Sequence, residues 1–355
     1  MILSQDRSES VPPEARSVLR RPRLATDGVL DVVVWWCAAL APAAAGLVAA
    51  WFWLSADVWW PATVLLYGPR WALLLPVAAI GVLAAVRQRW LLLPVVVSAL
   101  VLGGPVLGFC SGWRTLAAER SPERELTIVT LNVSGGESLR ADIADLMNEW
   151  DADVAAFQEC GSLRWEVLEL SGWHTMGRSM ACIVSRFPIV EARVMERRDI
   201  EEAGGTGLAV AYRLAAPDES FWLTNIHLTT PRSGLVAVAT GRLTEGADLV
   251  RRNSLMRTAE LRRVRRFASD IGGPHVVVGD FNTPVESRSY RREWADWTNA
   301  FSFAGFGIGA TSPGGASRSR IDHVVVDASW LVVDARTGED VGSDHLPVIA
   351  TIRRR

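Results

Sequence analysis

The stretch VVVGDFNTP, residues 276–284, joins an apolar run to an abrupt polar end. Three valines lead into Gly279 and then to Asp280 and Asn282, which is typical of a buried strand that stops at a turn. Side chains two residues apart on an extended chain point to the same side. We therefore predict that this strand delivers a carboxylate and a carboxamide to one face, at the rim of a sheet.

Similar β-type runs with polar ends recur across residues 126–355, separated by helical stretches such as 138–151 and 254–271. This mixture predicts an α/β domain with a layered sheet core. Carboxylates, amides and histidines at several strand ends suit a hard divalent cation, Mg²⁺ or Mn²⁺, with a histidine base. Besides Asp280 and Asn282, these polar residues are Asn132, Gln158, Glu159, Asn225, His227, Asp322, His323, Ser343, Asp344 and His345.

Composition excludes some classes of function. The chain has 355 residues, a formal net charge of -2 and a pI of about 6.3, so no global basic field indicates nucleic acid. Within residues 114–355, acidic residues outnumber arginines, which also argues against a processive nucleic-acid enzyme. All 37 basic residues are arginine, and this excludes a lysine nucleophile or Schiff base.

The first third of the chain carries the apolar residues that raise the mean hydropathy to +0.17. Uncharged runs at 32–55 and 90–109 are each long enough to cross a bilayer core of about 30 Å. Residues 62–86 are apolar except for Arg70, and we predict a kinked or short middle span with Arg70 reaching toward an interface. The alternative is an interfacial or re-entrant hairpin at 58–68 followed by a short helix.

Arginine distribution predicts the orientation of this region, because basic residues favour the cytoplasmic side. They concentrate before residues 32–55 and between residues 62–86 and 90–109, at Arg16, Arg20, Arg21, Arg23, Arg87 and Arg89. We predict a cytoplasmic tail (1–27), a transmembrane region of three helices (28–112), a linker (113–125) and an extracytoplasmic domain (126–355). The protein would be multi-pass in the cell membrane, with the bilayer as a partner. Two spans would instead leave the domain inside.

Two of the four cysteines, Cys160 and Cys182, lie in the polar part of the chain. They lack the CxxC spacing and the histidine cluster of a zinc site. They could form a disulfide if this part is exported, but sequence alone does not show whether their side chains meet. The pairing is left open at this point.

In order and spacing, the motifs LNV, QE, H, GDFN, RIDH and SDHLP resemble the endonuclease/exonuclease/phosphatase superfamily over residues 126–355. The resemblance implies a four-layer α-β-β-α sandwich with its site at one end. It also implies metal-dependent hydrolysis of phosphoesters, and a membrane-anchored member when the apolar segments are included.

The resemblance implies a role for each matching residue. Glu159 would be the principal metal ligand, helped by Asn132, with Asp344 near the metal. Asp280 and Asn282 would orient the nucleophilic water and hold the phosphate. Three further residues complete the implied set: Asp322 would orient His345, His345 would contact the phosphate or help activate water, and His227 would hydrogen-bond a phosphate oxygen.

Departures from relatives leave the substrate open. The tyrosine loop by which abasic-site endonucleases clamp phosphate is replaced by HLTTPRSG, where Arg232 is either a substitute clamp or a plain surface residue. The inositol phosphatase signature is replaced by SRSRIDH. The expected partner is therefore a phosphoester: nucleic acid, lipid or small phosphodiester. The rival hypothesis is an extracytoplasmic module that binds a phosphorylated ligand without turnover.

Overall fold

The computed structural model describes residues 25–117, 124–136, 139–161, 172–312 and 319–355. Most of the predicted tail, up to residue 24, and the middle of the predicted linker, 118–123, lie outside these residues. The helices are α1 (Ala25–Ser55), α2 (Trp60–Tyr67), α3 (Leu74–Arg87), α4 (Leu92–Gly103), α5 (Ile143–Glu149), α6 (Arg198–Glu202), α7 (Arg232–Ala239), α8 (Leu243–Ile271), α9 (Arg288–Trp294) and α10 (Ala300–Ala304), with 3₁₀ turns at Arg70–Leu73, Arg89–Leu91 and Trp113–Ala117.

Within the described residues, the strands form two six-stranded sheets and one short two-stranded sheet. The first sheet has the order β10-β12-β9-β8-β7-β6, the second has the order β13-β14-β2-β3-β5-β4, and β1 pairs with β11. The strands are β1 (Cys110–Ser111), β2 (Glu125–Asn132), β3 (Val154–Gln158), β4 (His174–Arg178), β5 (Ala181–Ser185), β6 (Ile189–Val194), β7 (Leu208–Ala215), β8 (Ser220–His227), β9 (His275–Asp280), β10 (Thr298–Asn299), β11 (Phe306–Gly307), β12 (Asp322–Val326), β13 (Trp330–Thr337) and β14 (Val348–Arg354).

Alternation of side chains along each strand assigns one face to the space between the sheets and the other to the helices. In β9, Val276 and Val278 join the core between the sheets, whereas Val277 packs on the outer side with residues of α8 and α9. On the second sheet, α5 covers the outer faces of β2 and β3. The layers therefore run helix, sheet, sheet, helix, which confirms the predicted four-layer sandwich.

The N-terminal helices α1, α3 and α4 pack together through small and branched side chains, such as Ala38, Ala84 and Val95. Among the described residues, two helices are long and apolar enough to cross a membrane, Gly28–Ser55 and Arg70–Arg87. A shorter apolar helix covers Arg89–Gly103. By length and composition these helices are weak evidence for a membrane region, and the three-span topology stays a prediction.

The middle apolar segment, for which we predict a kinked or short span, is not one continuous helix. It is divided into the short helix α2 and the helix Arg70–Arg87, with Gly68 and Pro69 between them. The prediction for Arg70 was wrong. Its side chain is 5% exposed and forms an ion pair with Glu286 of the sandwich at 2.9 Å, because a buried guanidinium needs a charged partner.

Further contacts join the N-terminal helices α1 to α4, here called the apolar bundle, to the sandwich on the same side. Arg320 lies 3.8 Å from Glu286, so two arginines flank one buried carboxylate. Burial would raise the pKa of Glu286, but the charges of Arg70 and Arg320 hold it below its usual range. Ser289, in α9, donates from its backbone nitrogen to Asp57 at 3.1 Å. The two regions are therefore packed against each other through buried polar contacts.

Helical spacing in residues 251–267 predicts an apolar stripe that includes Leu255, with the arginines on the solvated face, and the structure of α8 differs from this prediction. Leu255 is 67% exposed, whereas Arg257 is 2% exposed and lies over the ring of Tyr67 at 5.6 Å. Glu260 is fully buried. Charged residues enter the buried face because each has a partner on another element.

The cysteine pairing that the sequence left open is resolved by the structure. Cys160 and Cys182 form a disulfide, with their Cα atoms 6.2 Å apart. The bond links the end of β3 to β5, directly after Glu159 in the chain.

Candidate active site

The candidate site lies between the two sheets, at one end of the sandwich. In each contributing strand, inward positions are apolar along most of the strand and turn polar at this end. Two parallel pairs, β2–β3 and β8–β9, direct their carboxyl ends to the same edge. The inward polar positions at this end are Asn132 in β2, His227 in β8, Asp280 in β9 and Asp322 in β12.

Strand register fixes how closely these side chains meet. His227 pairs with Asp280 in the parallel β8–β9 ladder, and Asp322 pairs with Asp280 in the antiparallel β12–β9 ladder. A Cβ atom at Gly279 would lie 2.0 Å from the carbonyl oxygen of Ile226, and the residue has φ +134°. Glycine before Asp280 is therefore required for β9 to lie this close to β8.

A polar cavity of about 230 Å³ occupies this end. Asn132 links Glu159, which lines the cavity, to the buried Asp280: the Nδ2 of Asn132 donates to Glu159 at 2.9 Å and to Asp280 at 3.2 Å. The lining residues are Ser134, Glu159, Thr206, His227, Leu228, Thr230, Arg232, Asn282, Asp344 and His345. The sequence-predicted residues therefore either line this cavity or, as with Asn132, Asp280 and Asp322, contact a residue that does.

The backbone is held in an unusual conformation where it meets the cavity. Ser134, Glu159 and Asn282 all have positive φ angles, between 46° and 55°, although none is glycine. Such conformations are costly and persist where surrounding contacts fix them, often at functional sites. For Asn282, those contacts include Asp280, whose Oδ1 accepts from its backbone nitrogen at 2.8 Å, and Tyr67, whose hydroxyl donates to its carbonyl at 2.7 Å.

His345 and Asp322 form a buried carboxylate–imidazole pair. His345 Nδ1 lies 2.9 Å from Asp322 Oδ2, and Asp322 is fully buried. Burial alone would lower the pKa of His345. The carboxylates of Asp322, Asp280 and Asp344 outweigh burial and raise it to about 10. The imidazole is therefore protonated at neutral pH, and its Nε2, 3.9 Å from Asp280, carries a proton.

The surroundings of Asp280 disfavour its charged form, because this carboxylate is enclosed by protein. Burial and the neighbouring charge of Asp322 raise its pKa to about 6, despite the nearby His345 and His227. His227 Nε2 lies 3.7 Å from Asp280 and 3.6 Å from Glu159. A carboxyl group with a pKa near neutrality is well suited to accept a proton in catalysis.

Asp344 and Arg232 form the outer side of the cavity. Arg232 donates to Asp344 at 3.3 Å, and Ser134 donates a short hydrogen bond to the same carboxylate. Burial acts to raise the pKa of Asp344, but the bond from Ser134 and the charges of His345 and Arg232 hold it below its usual range. Asp344 is therefore ionised and available to a cation or a donor.

The donor chemistry of the cavity fits a hard divalent cation. Glu159, Asp280 and Asp344 bring three carboxylates to a small space, together with the amides of Asn132 and Asn282. Oxygen donors of this kind suit Mg²⁺ or Mn²⁺. Ligand atoms of Asp280, Asp322 and His345 also lie within 4.8 Å of one another, but the imidazole and Asp322 already satisfy each other through a hydrogen bond.

Three polar residues that the sequence placed at strand ends serve the scaffold. Gln158 donates to Asn225 at 2.7 Å and joins the two sheets below the cavity. His323 faces outward, one residue from the inward Asp322, and contacts the carbonyl of Thr283 at 2.9 Å. Burial, with the nearby charge of Arg320, lowers the pKa of His323 to about 4.

Other residues that shape the site were missed. Tyr67 belongs to the apolar region, and Glu260 lies in a helix whose polar residues looked solvated. Glu260 accepts hydrogen bonds from the backbone of Gly207 at 3.0 Å and of Thr229 at 2.9 Å. It thereby holds the loop that follows His227. No local sequence signal marked either residue, since each acts through a partner far along the chain.

Several solved structures are similar to this chain. D. rerio TDP2, complexed with a single strand DNA product, is 16% identical with a TM-score of 0.51, covering 65% of this chain and 100% of its own. A humanised D. rerio TDP2 is 15% identical with a TM-score of 0.50, covering 64% and 99%. A mannosyl-6-phosphatase of Bacteroides thetaiotaomicron is 18% identical with a TM-score of 0.47, covering 64% and 99%.

These likenesses concern the fold alone. No curated protein matches the sequence significantly. The sequence matches the model of the Endonuclease/Exonuclease/phosphatase family over residues 129–345, which is more than half of the chain and runs from the LNV motif to His345 in the SDHLP motif. The chain therefore belongs to the endonuclease/exonuclease/phosphatase family.

Proposed function

We propose that the protein is a membrane-tethered, divalent-metal-dependent phosphoesterase that hydrolyses a phosphodiester by attack of water. The observation that carries this proposal is that Glu159 and His345 line one polar cavity, with the buried Asp280 3.9 Å from His345. A carboxylate with a pKa near neutrality lies beside a protonated histidine there. The pairing supplies both a proton acceptor and a cationic donor.

A resident cation, Mg²⁺ or Mn²⁺, would be held by Glu159, with Asn132 and Asp344 beside it. When bound, it would supply Lewis acidity and stabilise charge on the leaving oxygen. Glu159 is the best placed of these residues because its carboxylate is partly exposed to the cavity, whereas Asp322 is enclosed.

The protein's own groups would perform the remaining steps. Asp280 accepts the proton of the attacking water, and Asn282, hydrogen-bonded to it, helps to orient the phosphate. His345, kept cationic by Asp322, donates to a non-bridging phosphate oxygen as negative charge develops. His227 donates to a second oxygen. These donors are held by the sheets before the substrate arrives, so little reorganisation is needed.

The apolar helices are the basis for proposing that the protein is tethered to a membrane. Large apolar side chains on all three helices are exposed, including Leu47, Val86 and Leu100, as expected for surfaces that face lipid. The disulfide Cys160–Cys182 supports an extracytoplasmic sandwich, since such bonds persist in oxidising compartments. An alkaline phosphatase fused to the C-terminus should be active in a bacterial host; an inactive fusion that is produced in full would place the sandwich inside.

Hydrolysis by the full-length protein in amphipol tests the activity. The panel holds bis-p-nitrophenyl phosphate, plasmid DNA, RNA and phospholipid, each with Mg²⁺, with Mn²⁺ and with chelator. We expect turnover that chelator abolishes and that Glu159→Gln lowers by about 10³-fold or more. The matched control is Glu149→Gln, the same change at an exposed position at the end of α5.

Metal-independent turnover, or equal loss in both variants, would contradict the proposal. Binding of a phosphorylated ligand by folded protein, without turnover of any substrate, would favour the rival hypothesis of a binding module. The preferred substrate would distinguish nuclease from lipase-type roles. The net charge of the chain does not indicate a nucleic-acid substrate.

A further inference from the structure

A second cavity, of about 460 Å³, opens directly from the polar one. The two share Thr230, Arg232, Asn282 and His345, so a bound group could extend from one to the other without leaving the protein surface. We call this second cavity the apolar groove. Its volume lies within the range of about 300–1,000 Å³ that is usual for small-molecule sites.

Two helices from distant parts of the chain form the walls of the apolar groove. Val64 and Tyr67 contribute from α2, which precedes the helix Arg70–Arg87. Leu235, Val236 and Ala239 contribute from α7, in the sandwich. Leu235 also packs against the core of the apolar bundle. The groove therefore exists only where the sandwich and the bundle meet.

The groove lies at the level where the bundle meets the sandwich. Gly68 and Pro69, which connect α2 to the helix Arg70–Arg87, form part of its lining. Apolar side chains remain exposed on the neighbouring surface of α7 and α8: Val236 is 48% exposed and Leu243 is 55% exposed. If the bundle spans a bilayer, this surface faces the lipid headgroup region, and the groove has a route to hydrocarbon.

The chemistry of the lining argues against a polynucleotide in the groove. Such a strand needs cationic side chains along its backbone or free aromatic faces for its bases. Among the described residues that line the groove, Arg232 is the one arginine, Tyr67 is the one Phe, Tyr or Trp side chain, and the cationic His345 lies where the groove meets the polar cavity. The ring of Tyr67 is already covered by the guanidinium of Arg257 at 5.6 Å.

We propose that the apolar groove holds a hydrocarbon chain of a bilayer lipid whose phosphoester enters the polar cavity. This rests on the proposed function and assigns its substrate class: a membrane phosphoester lipid. In the reaction, the oxygen of water forms a bond to phosphorus, the phosphorus–oxygen bond to the leaving alcohol breaks, and the leaving oxygen takes a proton. Arg232, where the two cavities meet, lies within reach of the phosphate.

A homologous series of soluble substrates tests the groove separately from the reaction. Methyl, butyl, hexyl and octyl p-nitrophenyl phosphates share one leaving group and differ in chain length. With full-length protein in amphipol and Mg²⁺ or Mn²⁺, kcat/KM should rise about fourfold for each methylene that enters the groove. With three to four of its seven additional methylenes in the groove, the octyl ester should exceed the methyl ester by roughly 100-fold.

Two variants at exposed groove positions should reduce this octyl-to-methyl ratio. Ala239→Trp fills the groove, and Val236→Asp places a charge in it; each should lower the ratio at least tenfold. The matched control is Val190→Asp. Val190 is 58% exposed, and its neighbour Ile189 pairs with Leu214, at the opposite end of the sheet from His227.

The outcomes separate the two proposals. Turnover of the methyl ester with no rise along the series would overturn the lipid assignment and leave the phosphoesterase proposal standing. The same holds if DNA or RNA is cleaved with higher kcat/KM than the octyl ester. A rise that Val190→Asp removes as strongly as Val236→Asp would also overturn the assignment. No turnover of any ester by folded, metal-loaded protein would overturn both.

Discussion

The polar cavity and the apolar groove meet at His345 but are built in different ways. The cavity is made by strand ends, where a two-residue period and the register of two sheets decide which side chains point inward. The groove is made by α2 and α7, which are joined by no ladder and meet only because the bundle packs on the sandwich. The difference teaches that local pattern specifies the chemical groups here, whereas long-range packing shapes the space beside them.

The largest effect should come from the cavity itself. Asp280→Asn keeps the shape of the side chain but removes the proton acceptor, so kcat should fall by about 10³-fold. The measurement is metal-dependent hydrolysis of methyl p-nitrophenyl phosphate by the full-length variant. Asp334→Asn, on the exposed side of β13, is the matched control and should retain wild-type kcat. A loss of less than tenfold in Asp280→Asn would remove Asp280 from the role of base.

The next effect concerns the packing that shapes the groove. Arg70→Met leaves Glu286 buried with Arg320 alone, and loss of one partner of a buried pair costs about 3 kcal/mol or more. The midpoint of thermal unfolding in amphipol should fall by roughly 6–12 °C.

An exposed ion pair provides the comparison for Arg70. Arg140→Met breaks the pair with Asp340, in which both side chains are more than half exposed, and should change the midpoint little. Addition of Glu286→Gln to Arg70→Met should restore part of the loss. Equal midpoints for Arg70→Met and Arg140→Met would show that the buried pair does not hold the two regions together.

A smaller effect is expected from pH. Asp280 has a raised pKa of about 6 and must be ionised to accept a proton, so kcat/KM should fall about tenfold per unit as pH drops below 6. His345 must be protonated to donate, and its raised pKa of about 10 keeps it so up to pH 9. The profile between pH 5 and 9 should therefore have an acid limb alone. An alkaline limb near pH 7 would contradict the cationic role of His345.

The smallest effect tests whether the bundle tunes the cavity. Tyr67→Phe removes the hydrogen bond to the carbonyl of Asn282, and one such bond contributes about 0.5–1.5 kcal/mol. We expect kcat to fall roughly threefold to tenfold with KM nearly unchanged. Tyr290→Phe removes a comparable buried bond, to Asn299, away from the cavity and should leave kcat unchanged. Equal kcat values for the two variants would mean that Tyr67 does not position Asn282.

Much of the cavity could be predicted from the sequence because the strand patterns and motifs that carry its residues are local. Alternation predicted that Asp280 and Asn282 reach the same site, and the order of motifs identified Glu159 and His345 as members of one site. The roles of these residues as ligand, base or donor stay predictions. What alternation could not show is that Gln158 joins the sheets below the cavity, since an inward polar residue at a strand end has the same pattern in either role.

The rest could not be predicted because it depends on partners far along the chain. Arg70 looked like a residue that reaches for lipid headgroups until Glu286, 216 positions later, was found beside it. Nothing in the sequence indicates that Glu260 accepts a hydrogen bond from the loop after His227. A helical pattern shows which positions share a face, but it does not show what covers that face.

The contacts of Asp57, Tyr67 and Arg70 with the sandwich also bear on how the chain can be divided. The polar segment near residue 113 resembles a cleavable junction between an anchor and an autonomous enzyme. A fragment severed there would leave Glu286 without Arg70, the backbone of Ser289 without Asp57, and one wall of the apolar groove missing. The apolar bundle is thus part of the unit that forms the groove, so truncated fragments should differ from the full-length protein in stability and in the proposed substrate preference.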